Sequence, residues 1–255
     1  MDKFYELKYH KLEENQWWFI SRRNIILKLI KELNLSKSAK ILEVGCSGGP
    51  LIKLLTLNGF TDLYGIDISE DAVNLCKETG LKNVAVMDCV KTQFNDNEYD
   101  LVIASDVLEH IENDDSALAE WNRILKPNGK LIVFVPAFNF LWSMHDEMNH
   151  HHRRYSKLLI AQKLEKANFI LDRISYWNFS LFFPTVIIRA FQRLTMKKKS
   201  RKKDRLYGLN YIGNIGNKCL ITILYIENRF LAYFNLYVGV SVFAICRKIG
   251  QRPSF

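Results

Sequence analysis

A glycine-rich stretch and the acidic residue that follows it are the features of this chain most able to do chemistry. The segment ILEVGCSGG, residues 41–49, is an apolar run that ends in closely spaced glycines, and Asp67 closes the next apolar run 22 residues after Gly45. Glycine lets the backbone approach a ligand closely, and a carboxylate at the tip of the following strand can bind two ribose hydroxyls. The pattern indicates a site for a nucleoside cofactor and leaves open which nucleoside.

The spacing of the glycines separates the nucleotide classes. A dinucleotide fingerprint needs G-x-G-x-x-G, whereas residues 45–50 are GCSGGP, with proline in place of the third glycine. The chain also lacks the GKS or GKT sequence of a phosphate-binding P-loop. These departures disfavour NAD and nucleoside triphosphates as the ligand.

A second group of side chains could supply metal or acid–base chemistry. Asp106, Glu109 and His110 are spaced i, i+3 and i+4, which predicts that they share one face of a helix. Two carboxylates and an imidazole could bind a hard divalent metal there, or the histidine could act as a base. A structural role for all three is the alternative.

A third group lies at residues 145–155, HDEMNHHHRRY. His145 beside Asp146 suits a general base. The neighbouring Arg153 and Arg154 suit a phosphate or carboxylate ligand. A solvated, charge-dense loop is the alternative interpretation.

Apolar runs alternate with helical patterns and predict the elements that hold these groups. Strands are expected at 40–44, 62–66, 83–87, 99–104, 130–135, 169–176 and 240–247, and helices at 15–32, 50–57, 70–77 and 116–125. LKPNGK, residues 125–130, is predicted to be a turn because Pro127 and Gly129 stop a helix. The alternation predicts an α/β fold with a doubly wound, mostly parallel sheet. About 60 residues separate the last two strands, so we expect an insertion there.

Composition indicates a packed protein and the compartment in which it is expected to reside. Hydrophobic residues make up 48% of the chain, enough for a packed core. The five cysteines are scattered without a CxxC pair, which favours a reducing compartment and disfavours a zinc site. The charged N-terminal segment predicts no signal peptide, so we expect a cytoplasmic protein.

These motifs, in this order, resemble those of class I S-adenosylmethionine (SAM) dependent methyltransferases of the broad type 11 group, over roughly residues 17–178 and a last strand near the C-terminus. The E-x-G-x-G-x-G loop of that family matches Glu43, Gly45, Ser47 and Gly49, with serine in place of the middle glycine. DLVIASDVLEHI, residues 100–111, and LKPNGKLIVFVP resemble the fourth-strand and fifth-strand motifs. The resemblance implies SAM as the cofactor and a seven-stranded, Rossmann-like methyltransferase fold.

The resemblance also implies roles for cofactor-binding residues. Asp67 would bind the ribose, Asp88 would face the adenine amino group, and Glu43 would position the methionine end. The other implied contacts come from the loop and from neighbouring strand ends: Gly45, Cys46, Ser47, Gly49, Ile68, Cys89 and Ser105. Trp17 or Trp18 of the leading helix could cover the sulfonium or pack in the core.

Five candidate catalytic residues follow from the same comparison: His110, His145, Asp146, His151 and Arg154. The pattern HD-x4-H-x-RRY resembles bacterial type 11 proteins linked to surface-glycan or lipid-glycan synthesis. Some quinone-type O-methyltransferases hold a divalent metal with acids and a histidine near the LEH sequence. The wider family carries LEH without a metal, so Asp106, Glu109 and His110 are only a possible metal set.

The predicted domains are an N-terminal helical cap (1–38), a SAM-binding core (39–178), a helical insertion (179–238) and a closing strand with its tail (239–255). In the insertion, Pro184–Leu194 places Thr185, Arg189, Gln192 and Arg193 on one side and apolar residues on the other. Lys218–Leu236 behaves similarly, with a polar stripe through Lys218, Thr222, Arg229 and Asn235.

Between these segments lies KKKSRKKDR, residues 197–205, with seven basic residues and one acid, +6 of the chain's net charge of +9. Amphipathic segments around a basic run predict contact with an anionic membrane surface. The run 230–246 is uncharged but is predicted not to span a membrane, because it ends in the closing strand. A helical pair packed on protein is the alternative.

The sequence therefore predicts a SAM-dependent methyltransferase that methylates oxygen on a lipophilic or lipid-linked, glycan-like or quinone-like acceptor at the membrane surface. One alternative is an RNA methyltransferase that uses the basic run 197–205, although aromatic residues are not interleaved with that run, which disfavours nucleic acid. Another is a non-catalytic, methyltransferase-like partner subunit. The pattern does not indicate an oligomeric state.

Overall fold

A computed structural model describes residues 12–195, 213–231 and 233–250. The strands are β1 (Lys40–Val44), β2 (Asp62–Asp67), β3 (Val84–Val86), β4 (Tyr99–Ser105), β5 (Leu125–Pro136), β6 (Phe169–Trp177) and β7 (Ser241–Lys248). The helices are α1 (Trp17–Glu32), α2 (Pro50–Leu57), α3 (Glu70–Glu78), α4 (Asp114–Ile124), α5 (Met144–Met148), α6 (Lys157–Lys166), α7 (Phe182–Thr195) and α8 (Gly213–Leu231).

The seven strands form one sheet in the order β3-β2-β1-β4-β5-β7-β6. Only β7 runs antiparallel to its neighbours, β5 and β6, so the sheet is mostly parallel. The predicted α/β, doubly wound fold is confirmed, and so is the helical insertion before the closing strand. The domain boundaries themselves stay a prediction.

Helices cover both faces of the sheet and enclose two layers of core. One layer packs α1, α2, α3 and α8 against the sheet. The other packs α4 and α6 against the opposite face, with Trp121 and Tyr155 fully buried. The near-continuous apolar strands follow from this arrangement, because both faces of each central strand are buried.

The segment LKPNGK is the first part of β5 and not the turn that was predicted. Leu125 pairs with Tyr99, and pairing resumes at Lys130 opposite Leu101, so residues 126–129 form a bulge. Asn128 takes φ +64°, a left-handed conformation that asparagine tolerates. The helix does stop here, since α4 ends at Ile124, and Pro127 lies in the bulge, where proline is accepted in a strand.

The insertion packs on the protein through buried polar groups. Asn228 of α8 accepts a hydrogen bond from Trp177 at 2.8 Å and donates to the Ser21 carbonyl oxygen at 3.1 Å. Glu227 accepts from the backbone N–H groups of Phe179 and Ser180. Helix α8 ends at Leu231, so the predicted helical stripe does not extend to Asn235. The basic run 197–205 lies outside the described residues.

Candidate functional site

The glycine loop after β1 is built for close approach. Gly45 has φ +68°, and a Cβ atom there would lie 2.4 Å from the Val107 side chain. Ser47, at the position of the family's middle glycine, also takes a left-handed conformation with φ +48°. The serine is held there because its backbone N–H donates to Asp67 at 2.9 Å and its hydroxyl donates to Glu13 at 2.6 Å.

The carboxyl ends of the parallel strands surround a cavity of about 710 Å³ next to this loop. Nine of the ten predicted cofactor-binding residues line it: Glu43, Gly45, Cys46, Ser47, Asp67, Ile68, Asp88, Cys89 and Ser105. Asp67 also accepts a hydrogen bond from the Ser69 backbone N–H at 2.9 Å. The cavity lies where β1 is flanked by β2 and β4, the usual place for a ligand in an open α/β sheet.

Gly49 is the exception among the ten. It does not line the cavity but precedes α2, with φ +76°, and a Cβ atom there would lie 2.3 Å from the Leu81 side chain. Glycine is needed at this position for the turn into the helix and for packing against Leu81.

Glu43 is an unusual group in the floor of this cavity. It is buried in β1, and its Oε2 atom has no hydrogen-bond partner among the residues that the structure describes. Burial raises the pKa of Glu43 well above its ordinary range, and the nearby Glu13 carboxylate raises it further. A ligand with a cationic amino group would supply the hydrogen-bond donor that Glu43 Oε2 lacks and a positive charge that stabilises the ionised carboxylate.

Arg22 of α1 is a site residue that the motifs did not indicate. Its guanidinium carbon lies 4.6, 4.3 and 4.3 Å from the ring centroids of Trp18, Phe134 and Trp177. Trp18 thus stacks on an internal cation, and it also packs edge-to-face on Trp177, with ring centroids 6.0 Å apart. These contacts favour the core-packing interpretation of Trp18.

Arg22 also determines the position of Asp106. The two form an ion pair of 3.1 Å, and Ser105 donates a hydrogen bond to Asp106 at 2.9 Å. Asp106 has φ +58°, and only Leu108–His110 form a short 3₁₀ turn after it. The prediction that Asp106, Glu109 and His110 share one helical face is therefore wrong.

A second cavity, of about 700 Å³, adjoins the first. Both cavities are lined by Trp18, Phe19, Asp106, His110, Met148 and Asn149. His145, His151 and Arg154 line the second cavity, while Asp146 is fully buried behind it. Four of the five predicted catalytic residues thus meet at this cavity.

The histidine that pairs with Asp146 is His151 and not the adjacent His145. His151 Nδ1 lies 2.9 Å from Asp146 Oδ1, whereas the His145 ring contacts Asn149. Burial raises the pKa of Asp146, but the hydrogen bonds from His151 and Arg154 outweigh burial and leave that pKa below its ordinary value. Asp146 is therefore ionised and accepts a hydrogen bond from the Nδ1–H group of His151, and in the neutral ring this leaves Nε2 as an acceptor.

The paired arginines bind groups of the protein itself. Arg154 donates to both carboxylate oxygens of Asp146, at 2.7 and 3.0 Å, and to the Ala137 carbonyl oxygen. Arg153 forms an ion pair of 2.9 Å with Asp114. The interpretation that this pair binds a phosphate of a ligand is therefore not supported, and Arg154 instead fixes Asp146.

Glu109, His110 and His151 are the three side chains in the described ranges that could hold a metal ion. Their donor atoms all lie within 4.8 Å of one another, and Glu109 is buried with an unpartnered Oε2. His151 thus stands in this group where the spacing predicts Asp106. Burial lowers the pKa of His110 to about 4, with repulsion from His151 adding to the shift. Burial likewise lowers the pKa of His145 to about 4.

Comparison with known proteins shows a methyltransferase domain in this chain. Residues 42–133 match the family described as methyltransferase domain. The fold is similar to a SAM-dependent methyltransferase from Archaeoglobus fulgidus, with a TM-score of 0.56, 18% identity and coverage of 94% of this chain and 99% of the other. Residues 42–133 therefore carry a methyltransferase domain, and the fold is that of a solved SAM-dependent methyltransferase.

Two curated relatives are similar over parts of their length. One is the ubiquinone biosynthesis O-methyltransferase of Photobacterium profundum, 28% identical over 49% of this chain and 58% of the relative. The other is phosphoethanolamine N-methyltransferase 3 of Arabidopsis thaliana, 30% identical over 42% of this chain and 23% of the relative. The matches thus span less than two thirds of these relatives. The narrower resemblance to glycan-associated or lipid-associated members stays a prediction.

Proposed function

We propose that this protein is a SAM-dependent methyltransferase that methylates a hydroxyl oxygen of a lipophilic acceptor at a membrane surface. The observation that carries the proposal is the junction of two cavities, one lined by the glycine loop and Asp67 and the other by a histidine paired with a buried aspartate. His110 lines both cavities, so groups bound in the two cavities would meet beside it.

The residues of the first cavity fit SAM. Asp67 would hold the ribose hydroxyls, Asp88 would face the adenine, and Glu43 would accept a hydrogen bond from the methionine amino group. When bound, SAM supplies an electrophilic methyl carbon for direct displacement. The chain's own contribution is to fix both reactants in line, which is the main requirement of such a reaction.

The second cavity supplies the base that a hydroxyl acceptor needs. Asp146, clamped by Arg154, accepts the hydrogen bond from His151 Nδ1. This contact fixes the ring and leaves Nε2 to take the acceptor proton as the methyl–oxygen bond forms. His110 and His145 are neutral at neutral pH because their pKa values are about 4, so they do not repel that proton by charge.

The acceptor assignment is tested by transfer of a labelled methyl group from SAM to extracts of the source cells. Label recovered in the lipid-soluble fraction, and lost when excess S-adenosylhomocysteine is added as a competitor of labelled SAM, is the expected result. Label recovered only in RNA would contradict a lipophilic acceptor and would favour the RNA alternative.

The insertion presents an apolar surface that supports the membrane part of the proposal. Thirteen of the 22 large apolar side chains that are exposed within the described ranges belong to residues 179–238. On α7, Phe183, Ile187, Ile188 and Phe191 are all exposed. The basic run 197–205 follows directly in the chain, and cations beside an apolar face favour an anionic bilayer. No helix in the described ranges is both long and apolar enough to cross a bilayer.

Vesicle flotation tests this surface. We expect the protein to float with vesicles that contain phosphatidylglycerol, and the double variant Ile187→Asn/Phe191→Asn to bind roughly 10-fold or more weakly, because two buried apolar side chains are lost. The matched control is Leu57→Asn/Leu158→Asn, since both leucines are exposed away from the insertion. Equal flotation of both double variants, or binding to neutral vesicles alone, would remove the membrane claim.

A further inference from the structure

Helix α7 turns its polar side toward the second cavity. Thr185, Arg189, Gln192 and Arg193 line that cavity, while the apolar side of the helix is exposed. A surface helix of a globular protein has the opposite arrangement. The polar residues of α7 are therefore placed to contact whatever occupies the cavity.

The two arginines of this wall, Arg189 and Arg193, have no acidic partner among the residues that the structure describes. In the described parts of the chain neither forms an ion pair: Arg189 donates to Gln192 Oε1 at 2.9 Å, and Arg193 donates to the carbonyl oxygens of Phe140 and Trp142. Partial burial lowers the pKa of Arg189, and repulsion from Arg154 lowers it further. A partly desolvated cation without a counter-ion is unfavourable, so an anion at this place would be stabilising.

The acids near the cavity do not offset these charges. Asp106 is paired with Arg22 at 3.1 Å, and Asp146 is paired with Arg154 and His151. Glu109 also lines the cavity, but its carboxylate is buried and lies within 4.8 Å of ring nitrogen atoms of His110 and His151. Glu147, which also lines the cavity, is exposed to solvent. The α7 side of the cavity therefore carries excess positive charge.

We infer that Arg189 and Arg193, with Gln192 between them, form an anion-binding subsite for the methyl acceptor. The acceptor is then an amphiphile that carries a phosphate or a carboxylate group. Guanidinium groups bind both anions through paired, charge-assisted hydrogen bonds. The inference rests on the proposed function, because it takes the second cavity as the acceptor site.

Short amphiphiles that share one alkyl chain test the subsite. Hexyl phosphate, hexanoate and hexanol are titrated into the full-length protein saturated with S-adenosylhomocysteine. We expect one or both anions to bind at least about 10-fold more tightly than hexanol, and Arg189→Gln or Arg193→Gln to remove about that factor, the usual worth of a charged hydrogen bond. The preferred anion distinguishes a phosphate acceptor from a carboxylate one. Arg189→Lys keeps the charge and should retain part of the affinity.

Arg229→Gln is the matched control, because Arg229 is an exposed arginine of α8 outside both cavities. It should bind like the wild type, and all variants should keep the wild-type affinity for S-adenosylhomocysteine. Equal binding of hexanol and the anions, no binding of any probe, or an unchanged affinity in Arg189→Gln would overturn the subsite. Failure of the wild type to bind S-adenosylhomocysteine would instead overturn the proposed function.

Discussion

Replacing Asp67 with alanine is expected to weaken SAM binding by about 100-fold or more, because the variant loses a carboxylate that would accept two hydrogen bonds from the ribose hydroxyls. The same carboxylate holds the loop, since it accepts from the backbone N–H groups of Ser47 and Ser69, each at 2.9 Å. Removing the Asp67 carboxylate therefore destabilises the cavity wall and also weakens ligand binding. Isothermal titration of SAM into each purified variant measures the effect.

Asp62→Ala is the control for this experiment. Asp62 begins β2 and Asp67 ends it, so the two variants remove the same group from opposite ends of one strand. Asp62→Ala should bind SAM as the wild type does. Similar dissociation constants for Asp67→Ala and the wild type would show that the carboxylate does not bind the ribose.

Replacing His151 with asparagine is expected to lower kcat by roughly 100- to 10,000-fold, the usual contribution of a general base. Asparagine can still donate a hydrogen bond to Asp146 but cannot take a proton from the acceptor. The affinity for SAM should not change, because His151 lines only the second cavity. Turnover of labelled methyl groups in the lipid fraction and titration of SAM give the two quantities.

His150→Asn is a matched control in the same loop. His150 is exposed and has φ +55°, a conformation that asparagine adopts readily. This variant should keep kcat within a few-fold of the wild type. If His151→Asn kept wild-type turnover, or if both variants lost activity equally, His151 would not be the base.

The meeting of the candidate cofactor-binding residues around one cavity could be predicted because it depends on local sequence. The apolar run 40–44 becomes β1, and β2 extends the predicted strand by one residue, which is Asp67 itself. The carboxyl ends of parallel strands meet at one edge of a sheet, so Asp67 and Asp88 had to lie near the glycine loop. Among the ten predicted residues, Gly49 is the one that does not line the cavity. A glycine required by a turn and a glycine required by ligand binding give the same sequence pattern, so the sequence does not distinguish the two roles.

The arrangement of the candidate catalytic residues could not be predicted from adjacency along the chain. His145 and Asp146 are neighbours in sequence, but Asp146 also accepts hydrogen bonds from Ser143 at the start of α5, at 2.8 and 3.1 Å. The loop after α5 then brings His151 to the other carboxylate oxygen. The spacing from Asp106 to His110 predicts a helix. That prediction is wrong because the positive φ of Asp106 breaks the helix.

The orientation of α7 could not be predicted from the sequence either. Its amphipathic pattern was correctly placed, but a pattern does not show which side faces protein. The structure turns Arg189 and Gln192 inward and leaves Ile187 68% exposed. A polar cavity wall and an exposed apolar outer face on one helix fit the proposed acceptor on one side and the proposed membrane surface on the other.

A crystal structure of the protein with S-adenosylhomocysteine tests the central claim most directly. We expect adenosine in the cavity beside the glycine loop, with the ribose on Asp67 and the homocysteine amino group within hydrogen-bond distance of Glu43 Oε2. A cavity that stays empty at millimolar ligand, or one that binds a nicotinamide nucleotide in its place, would contradict it.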